Sequence, residues 1–214
     1  MDISNFLIGG IVGYFIGSIP SAYLITKSKT GVDLRGAGSR NIGAMNAFEV
    51  TGKKSIGSLV LAADFFKGLL PVLFFELVRP GDPASTDYEL LVLMPALILG
   101  HCYPIWLRFH GGRGLATSAG ALMAVIPTAV IVWLVVYLLT KREINQVHIG
   151  ATIATIAVCI LLWLLPSSSI QSATLSFSGL NNSIIPLRIS ISALILIILS
   201  RHIEPLLAYF RKRS

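Results

Sequence analysis

The chain has 214 residues, of which 54% are hydrophobic and only 13% charged, with a formal net charge of +7. A soluble domain is about one quarter charged, and disorder requires low hydrophobicity with high charge, so both a disordered chain and an ordinary soluble enzyme are excluded. The apolar residues come in long runs and most Lys and Arg lie in short connectors between them, which is the pattern of a polytopic membrane protein and not of a nucleic-acid binder.

A membrane-crossing helix needs about 20 apolar residues. In chain order, the apolar runs cover 5–26, 55–78, 90–107, 115–140, 149–165 and 184–200. The first run has no basic segment before it, which predicts a retained span rather than a cleaved signal. Six crossings would leave Lys141, Arg142 and the tail Arg211-Lys212-Arg213 on the outer side, against the positive-inside rule. Dividing the fourth run at Pro127, into 114–126 and 127–140, removes the conflict. The predicted fold is therefore an all-α integral membrane bundle of about seven helices. Its N-terminus lies outside and its C-terminus in the cytoplasm, and every Lys and Arg except Lys67, Arg79 and Arg188 falls on or at the cytoplasmic side. The connector 79–89, with Asp82, Asp87 and Glu89, and the Ser-rich, uncharged stretch 166–183 become external loops. A single membrane domain over 1–214 follows, with functional cytoplasmic loops at about 27–54, 108–117 and 141–148. Cys102 and Cys159 lie inside apolar runs, so both read as buried free thiols.

Three segments carry chemistry. Gly17-Ser18-Ile19-Pro20 precedes VDLRGAGSRNIGAMN over 32–46, where glycines, Ser39, Asn41, Asn46, Arg35 and Arg40 combine backbone N–H groups, amides and guanidiniums. That mixture suits a phosphate; the bland alternative is a Gly-rich loop resting on lipid headgroups. No GKS or GKT closes it, so it is not a Walker loop. The second segment is Ala63-Asp64-Phe65-Phe66-Lys67-Gly68 inside an apolar run. Asp64 and Lys67 at i, i+3 share a helix face and can pair. Charges at membrane depth mark a polar cavity or an ion pair that fixes packing. The third is GHCYP over 100–104 with RFHGGRGLAT over 108–117. A Gly-Gly-Arg-Gly turn opening a helix favours an anion, and His101 stands at the end of the preceding helix. Two phosphate-type segments on one membrane face point to two anionic ligands, one of them lipidic.

Several chemistries are missing. Five residues after the four histidines stand Trp106, Leu115, Ile153 and Leu207, so the His-x4-Asp box of many acyl-CoA acyltransferases does not occur. There is no GxSxG elbow. The histidines and carboxylates show no ligand spacing, so no metal and no cofactor are expected.

GSIP at 17–20, RGAGSRNIGAMN at 35–46, GKK at 52–54, DFFKG at 64–68, GHCYP at 100–104 and GGRGLAT at 111–117 stand in one order. In this order and spacing, over about residues 10–125, the chain resembles the bacterial acyl-phosphate-dependent glycerol-3-phosphate acyltransferases, the PlsY family. Arg201-His202 resembles that family's C-terminal signature. The resemblance implies seven helices in the bacterial cytoplasmic membrane and an acyl group passed from acyl phosphate to the 1-hydroxyl of glycerol 3-phosphate. The product is lysophosphatidic acid, and the enzyme is expected as a monomer among membrane lipid, with no nucleic-acid partner. By the same resemblance, Ser39, His101 and Arg113 are catalytic. Ser18, Arg35, Asn41, Gly43, Asn46, Lys67, Gly111, Gly112 and Thr117 bind substrate, the first loop serving the acyl phosphate and the second turn, with Lys67, His101 and Arg113, the glycerol 3-phosphate. Acyl phosphate is a mixed anhydride, so orientation and charge stabilisation suffice for much of the rate, and a phosphate oxygen can take the hydroxyl proton.

The chain departs from the family pattern at named places. Arg40 stands where the family has Gly, Met45 where it has Thr, and Glu49 where it commonly has a basic residue. Arg113 replaces Lys, Arg108 and His110 alter the approach to that turn, His148 falls near an expected Ser, and Pro205 replaces Asn. These leave two other readings: a divergent paralogue acylating another phosphorylated acceptor, and a transporter of an anionic metabolite. Polar motifs gathered on one face argue against the transporter, which needs a midplane site.

Overall fold

The computed structural model describes residues 3–77, 83–175 and 184–211, and all regular structure among them is helical. The helices are α1 (Ile3–Gly17), α2 (Ser21–Thr30), α3 (Ala44–Thr51), α4 (Lys54–Leu77), α5 (Pro83–Cys102), α6 (Leu115–Val125), α7 (Pro127–Ile144), α8 (Val147–Leu164), α9 (Ser167–Ala173), α10 (Ile185–Ser200) and α11 (Ile203–Arg211).

Within the described residues, Phe6–Thr30, Lys54–Phe75 and Val147–Leu164 are long and apolar enough to cross a membrane. α10 and α11 make a fourth span if their 41° bend is counted as one broken crossing. Leu91–Leu107 and Leu115–Val125 are shorter apolar helices. Exposed Phe74, Leu164 and Leu196 are among many large apolar side chains on the surface. Such a surface is tolerable only against lipid or protein.

The division at Pro127 is present. Ile126 leaves the helical region at φ −140°, and Pro127 opens α7, where its missing N–H breaks no helical bond. Pro71 and Pro95 lie inside α4 and α5; prolines of this kind are characteristic of membrane helices, whose neighbours satisfy the freed carbonyls.

Two close crossings organise the bundle. A Cβ on Gly68 would strike the carbonyl of Thr117, and one on Gly120 would strike that of Phe65, so α4 and α6 touch backbone to backbone. A Cβ on Gly17 would meet the carbonyl of Leu97, and one on Gly100 that of Tyr14, which locks α1 to α5. Without a hydrophobic force between helices in lipid, small residues allow the contact area that replaces it. The core around Leu93, Leu97, Ile98, Ala121, Leu187 and Leu194 joins α5, α6 and α10. A second cluster, including Leu34, Ile42, Ala47 and Val60, anchors the 32–46 loop and α3 on α4.

The first run is not one straight helix. The chain breaks at Ser18-Ile19-Pro20 and resumes as α2, which ends on Gly31 in the left-handed region. Of the connector expected as an external loop at 79–89, residues 79–82 lie outside the described residues, and 83–89 are not loop but the first turns of α5, opened by Pro83; the second half of the 166–183 stretch also lies outside the described residues, and its first half contains α9.

Candidate active site

The break after α1 opens a small recess walled by Ser18, Asp64, Lys67, His101, Gly111 and Gly112. Asp64 is its hub. Lys67 Nζ lies 2.8 Å from Asp64 Oδ1. Lys67 also donates to the Ile19 carbonyl at 3.0 Å and to Ser21 Oγ at 3.2 Å. Ser21 Oγ in turn donates to Asp64 Oδ1 at 2.5 Å. Asp64 is 2% exposed, and a carboxylate at that depth persists only with such partners. The pair expected at i, i+3 is thus formed, and its second function is to fasten the start of α2 to α4.

His101 closes the recess from α5. Its Nδ1 stands 3.1 Å from Thr117 Oγ1 and 3.6 Å from Asp64 Oδ1. Its Nε2 lies against Gly112, since a Cβ there would overlap it. Ser18 is fully buried, and its hydroxyl has no hydrogen-bond partner among the described residues. A buried hydroxyl left this way is costly, and here it faces a recess where a ligand oxygen can accept from it.

The Gly111-Gly112 turn is held from both sides. The N–H groups of Gly111 and Gly112 donate to the carbonyls of Cys102 and His101 at 3.1 Å each. Arg201 Nη2 donates to the Gly111 carbonyl at 3.1 Å and Arg201 Nε to the Gly112 carbonyl at 3.2 Å. The two glycine amides are thus engaged within the protein. Arg113 is part-buried, with Nη1 at 3.3 and 3.2 Å from the two ring nitrogens of His148. Near-equal distances to both nitrogens place the guanidinium against the ring as a whole. Glu49 and Glu204 also lie within electrostatic reach of Arg113.

The 32–46 loop meets this turn directly: a Cβ on Gly112 would touch the Ile42 carbonyl, and Ile42 lines the recess. The two phosphate-type segments that sequence separates thus form one composite site. The loop is braced by Asn46, whose Oδ1 accepts from Ser39 N–H at 3.0 Å and whose Nδ2 donates to the carbonyls of Ala37 at 3.1 Å and Asn41 at 2.9 Å. Asn46 is 1% exposed. Gly43 is extended at φ −159° and opens α3. Arg35 lies outside the recess, pairing with Asp33 at 2.6 and 2.9 Å and stacking over Tyr23 with its guanidinium carbon 4.8 Å from the ring centre. The Arg35 hydrogen bonds hold the Asp33 carboxyl well below the usual carboxylate range, so this pair is charged throughout the physiological range. Ser39 is exposed on the loop and Asn41 half-buried.

Of the residues singled out in the sequence, Ser18, Lys67, His101, Gly111 and Gly112 come together in the recess, with Thr117 behind His101. Arg113 stands beside it. Arg35, Ser39, Asn41, Gly43 and Asn46 shape the adjoining loop. Sequence reasoning did not assign Ser21 or Arg201 to the site. Ser21 follows directly on the GSIP segment, and Arg201 belongs to the C-terminal signature, but no spacing in the sequence predicts which backbone each one holds. Among the described residues no cluster of His, Cys, Asp and Glu could hold a metal.

The glycerol-3-phosphate acyltransferase family model matches residues 7–211. A relative from Syntrophotalea carbinolica, named glycerol-3-phosphate acyltransferase, is 35% identical over 83% of this chain and 88% of its own. One from Anaplasma phagocytophilum with the same name is 35% identical over 79% and 88%. The solved structure of PlsY, an integral membrane glycerol 3-phosphate acyltransferase in its glycerol 3-phosphate form, superposes with a TM-score of 0.76 at 28% identity, covering 97% of this chain and 93% of that one. Its lysophosphatidic acid form gives 0.74 at 26% identity. A recess at a helix break, a Gly-Gly turn seated on a histidine and a backbone match along nearly the whole chain agree on one assignment: the chain belongs to the glycerol-3-phosphate acyltransferase family.

Proposed function

We propose that the chain is an acyltransferase that moves an acyl group from acyl phosphate to the 1-hydroxyl of glycerol 3-phosphate, releasing lysophosphatidic acid and inorganic phosphate. The observation that carries this reading is the packing of Ile42 on Gly112, which joins two anion-type segments around Ser18, Lys67 and His101. Family membership and the likeness to PlsY with glycerol 3-phosphate and with lysophosphatidic acid support it.

The hydroxyl oxygen bonds to the acyl carbon, and the bond from that carbon to the phosphate oxygen breaks. Phosphate leaves with the electron pair, and one of its oxygens takes the hydroxyl proton. Ser39, His101 and Arg113 stabilise the developing charge. Arg35, Asn41 and Gly43 present the loop to the acyl phosphate, with Asn46 holding its shape. Ser18, Lys67, Gly111, Gly112 and Thr117 position glycerol 3-phosphate. Co-location of two substrates supplies rate by removing the entropic cost of encounter.

In this reading the protein works as a monomer of one domain in the cytoplasmic membrane, crossing seven times with its N-terminus outside. The 27–54, 108–117 and 141–148 segments face the cytoplasm, in keeping with their Lys and Arg content. The test uses purified protein in detergent and in sealed inverted vesicles, with palmitoyl phosphate or palmitoyl-CoA as donor. Lysophosphatidic acid made from external glycerol 3-phosphate with the phosphate donor alone is the expected result. Product from palmitoyl-CoA alone would contradict the donor, and product only after the vesicles are opened would contradict the orientation. His101→Gln keeps a hydrogen-bond donor that cannot take a proton and should retain turnover; turnover abolished there with both substrates still bound would overturn the proton route.

A further inference from the structure

Two departures from the family pattern, Arg113 and His148, stand 35 residues apart in the chain and meet in space. Arg113 Nη1 is 3.3 Å from His148 Nδ1 and 3.2 Å from His148 Nε2. An atom in the ring plane at such distances from both nitrogens would collide with Cε1 on one side, or with Cγ and Cδ2 on the other. Nη1 therefore stands over the face of the ring. A planar cation on a planar ring is a packing that suits arginine better than lysine.

The ring is held in place. Asn145, in the left-handed region at φ 52°, ends α7, and Gln146 opens α8, so His148 falls in the first turn of α8. Thr152 Oγ1 donates to the His148 carbonyl at 2.8 Å. His202 packs against His148 edge to face, with ring centres 6.3 Å apart. His202 is 1% exposed; its Nδ1 donates to the Ile198 carbonyl at 2.9 Å, and its Nε2 has no hydrogen-bond partner among the described residues. The two histidines thus touch as rings, with no hydrogen bond between them.

Arg113 needs such a support. Glu49 on α3 and Glu204 on α11 lie within its electrostatic reach, and both are exposed, so they draw the guanidinium toward solvent. Arg201, which holds the Gly111-Gly112 turn, is a like charge within the same reach. A ring face fixes a guanidinium without cancelling its charge, as a carboxylate would. We propose that His148 is a positioning residue for Arg113: the face of its ring keeps the guanidinium beside the recess against the pull of Glu49 and Glu204, so that the departures at 113 and 148 compensate each other. The inference rests on the reading of Arg113 as a residue that stabilises charge during acyl transfer.

Three measurements test this. First, kcat/KM for glycerol 3-phosphate with palmitoyl phosphate is measured in His148→Ala, His148→Phe and His148→Gln. The alanine variant should lose about tenfold, the scale of a partly desolvated cation–ring contact. Phenylalanine, a flat ring with no nitrogen, should restore most of the loss, and glutamine, a polar group with no ring, should not. Phenylalanine no better than alanine, or glutamine as good as phenylalanine, overturns the inference, since the nitrogens and not the face would then act. Second, His148→Ala is made in Arg113→Lys. There its further cost should be at most about twofold, because contacting groups are coupled; a second tenfold loss would show that His148 acts independently of Arg113 and overturns the inference. Third, nitrogen-labelled arginine is followed by NMR in detergent, with the Arg113 signal assigned by its loss in Arg113→Lys. Guanidinium protons over a ring face are shifted upfield. That shift should be present in the wild type, kept in His148→Phe and lost in His148→Ala, and its absence from the wild type overturns the inference without recourse to activity. The shift present with no turnover of any donor would sink the proposed function and leave the pairing of Arg113 with His148 standing.

Discussion

Arg40 sits at φ 58°, in the left-handed region, where a side chain costs about 1–2 kcal/mol. The family pattern has glycine there, and the backbone has kept the glycine conformation. Arg40→Gly should therefore stabilise the protein by about 0.5 kcal/mol, because the relieved strain exceeds the extra chain entropy of glycine, about 0.5–1 kcal/mol. Thermal unfolding in detergent measures this, and a loss of stability would show that the Arg40 side chain makes contacts that outweigh the strain. Gly38, also left-handed at φ 58°, tolerates no such exchange, since its Cβ would strike Asn46 Oδ1. At this scale the sequence was partly legible. Residue type disclosed that Asp64 and Lys67 can pair, while the grouping of Lys67, His101 and Arg113 came from the family resemblance. Residue type could not disclose that Asn46 is a brace or that Arg35 is held by Asp33, because a free amide or guanidinium and an engaged one look alike in a sequence.

Helix contacts decide where these side chains meet. Thr117, which lies 3.1 Å from His101 on α5, is held in place by the α4–α6 crossing, where Gly68 and Gly120 let the backbones touch; a larger residue at either glycine would separate the two helices. Gly120→Leu should lower stability by about 1–3 kcal/mol, as overpacking does, and reduce kcat more than it raises KM, because Thr117 and His101 move apart while the loop and recess remain. Unfolding and steady-state kinetics on the same preparation check both parts. A rise in KM with kcat intact would mean that the crossing serves only substrate binding. Hydropathy located most long helices within a few residues, and Pro127 marked a real division. The break at Ser18-Ile19-Pro20 was hidden because apolar residues continue on both sides of it. The helix α9 was hidden because Ser-rich, uncharged sequence carries no helical periodicity.

At the scale of the molecule, five of the six short motifs, GKK at 52–54 being the exception, and a C-terminal arginine meet around one recess. Their order was legible and is what a family resemblance reads. Their convergence was not, because the contact of Ile42 with Gly112 joins residues far apart in the chain through backbone atoms that carry no sequence signal. The central claim is that the 32–46 loop and the 111–117 turn are halves of a single site. It is tested most directly by acceptor-dependent phosphate release from palmitoyl phosphate in Arg35→Ala, Arg113→Ala and the double variant. Arg113→Ala should lower turnover by about a hundredfold, as loss of a charge-stabilising donor does, and Arg35→Ala, whose side chain holds the loop from outside the recess, by less. The double variant should lose far less than the product of the two, since groups that act as a unit are not additive. Wild-type turnover in either single variant, or strictly multiplicative losses in the double, would contradict a composite site.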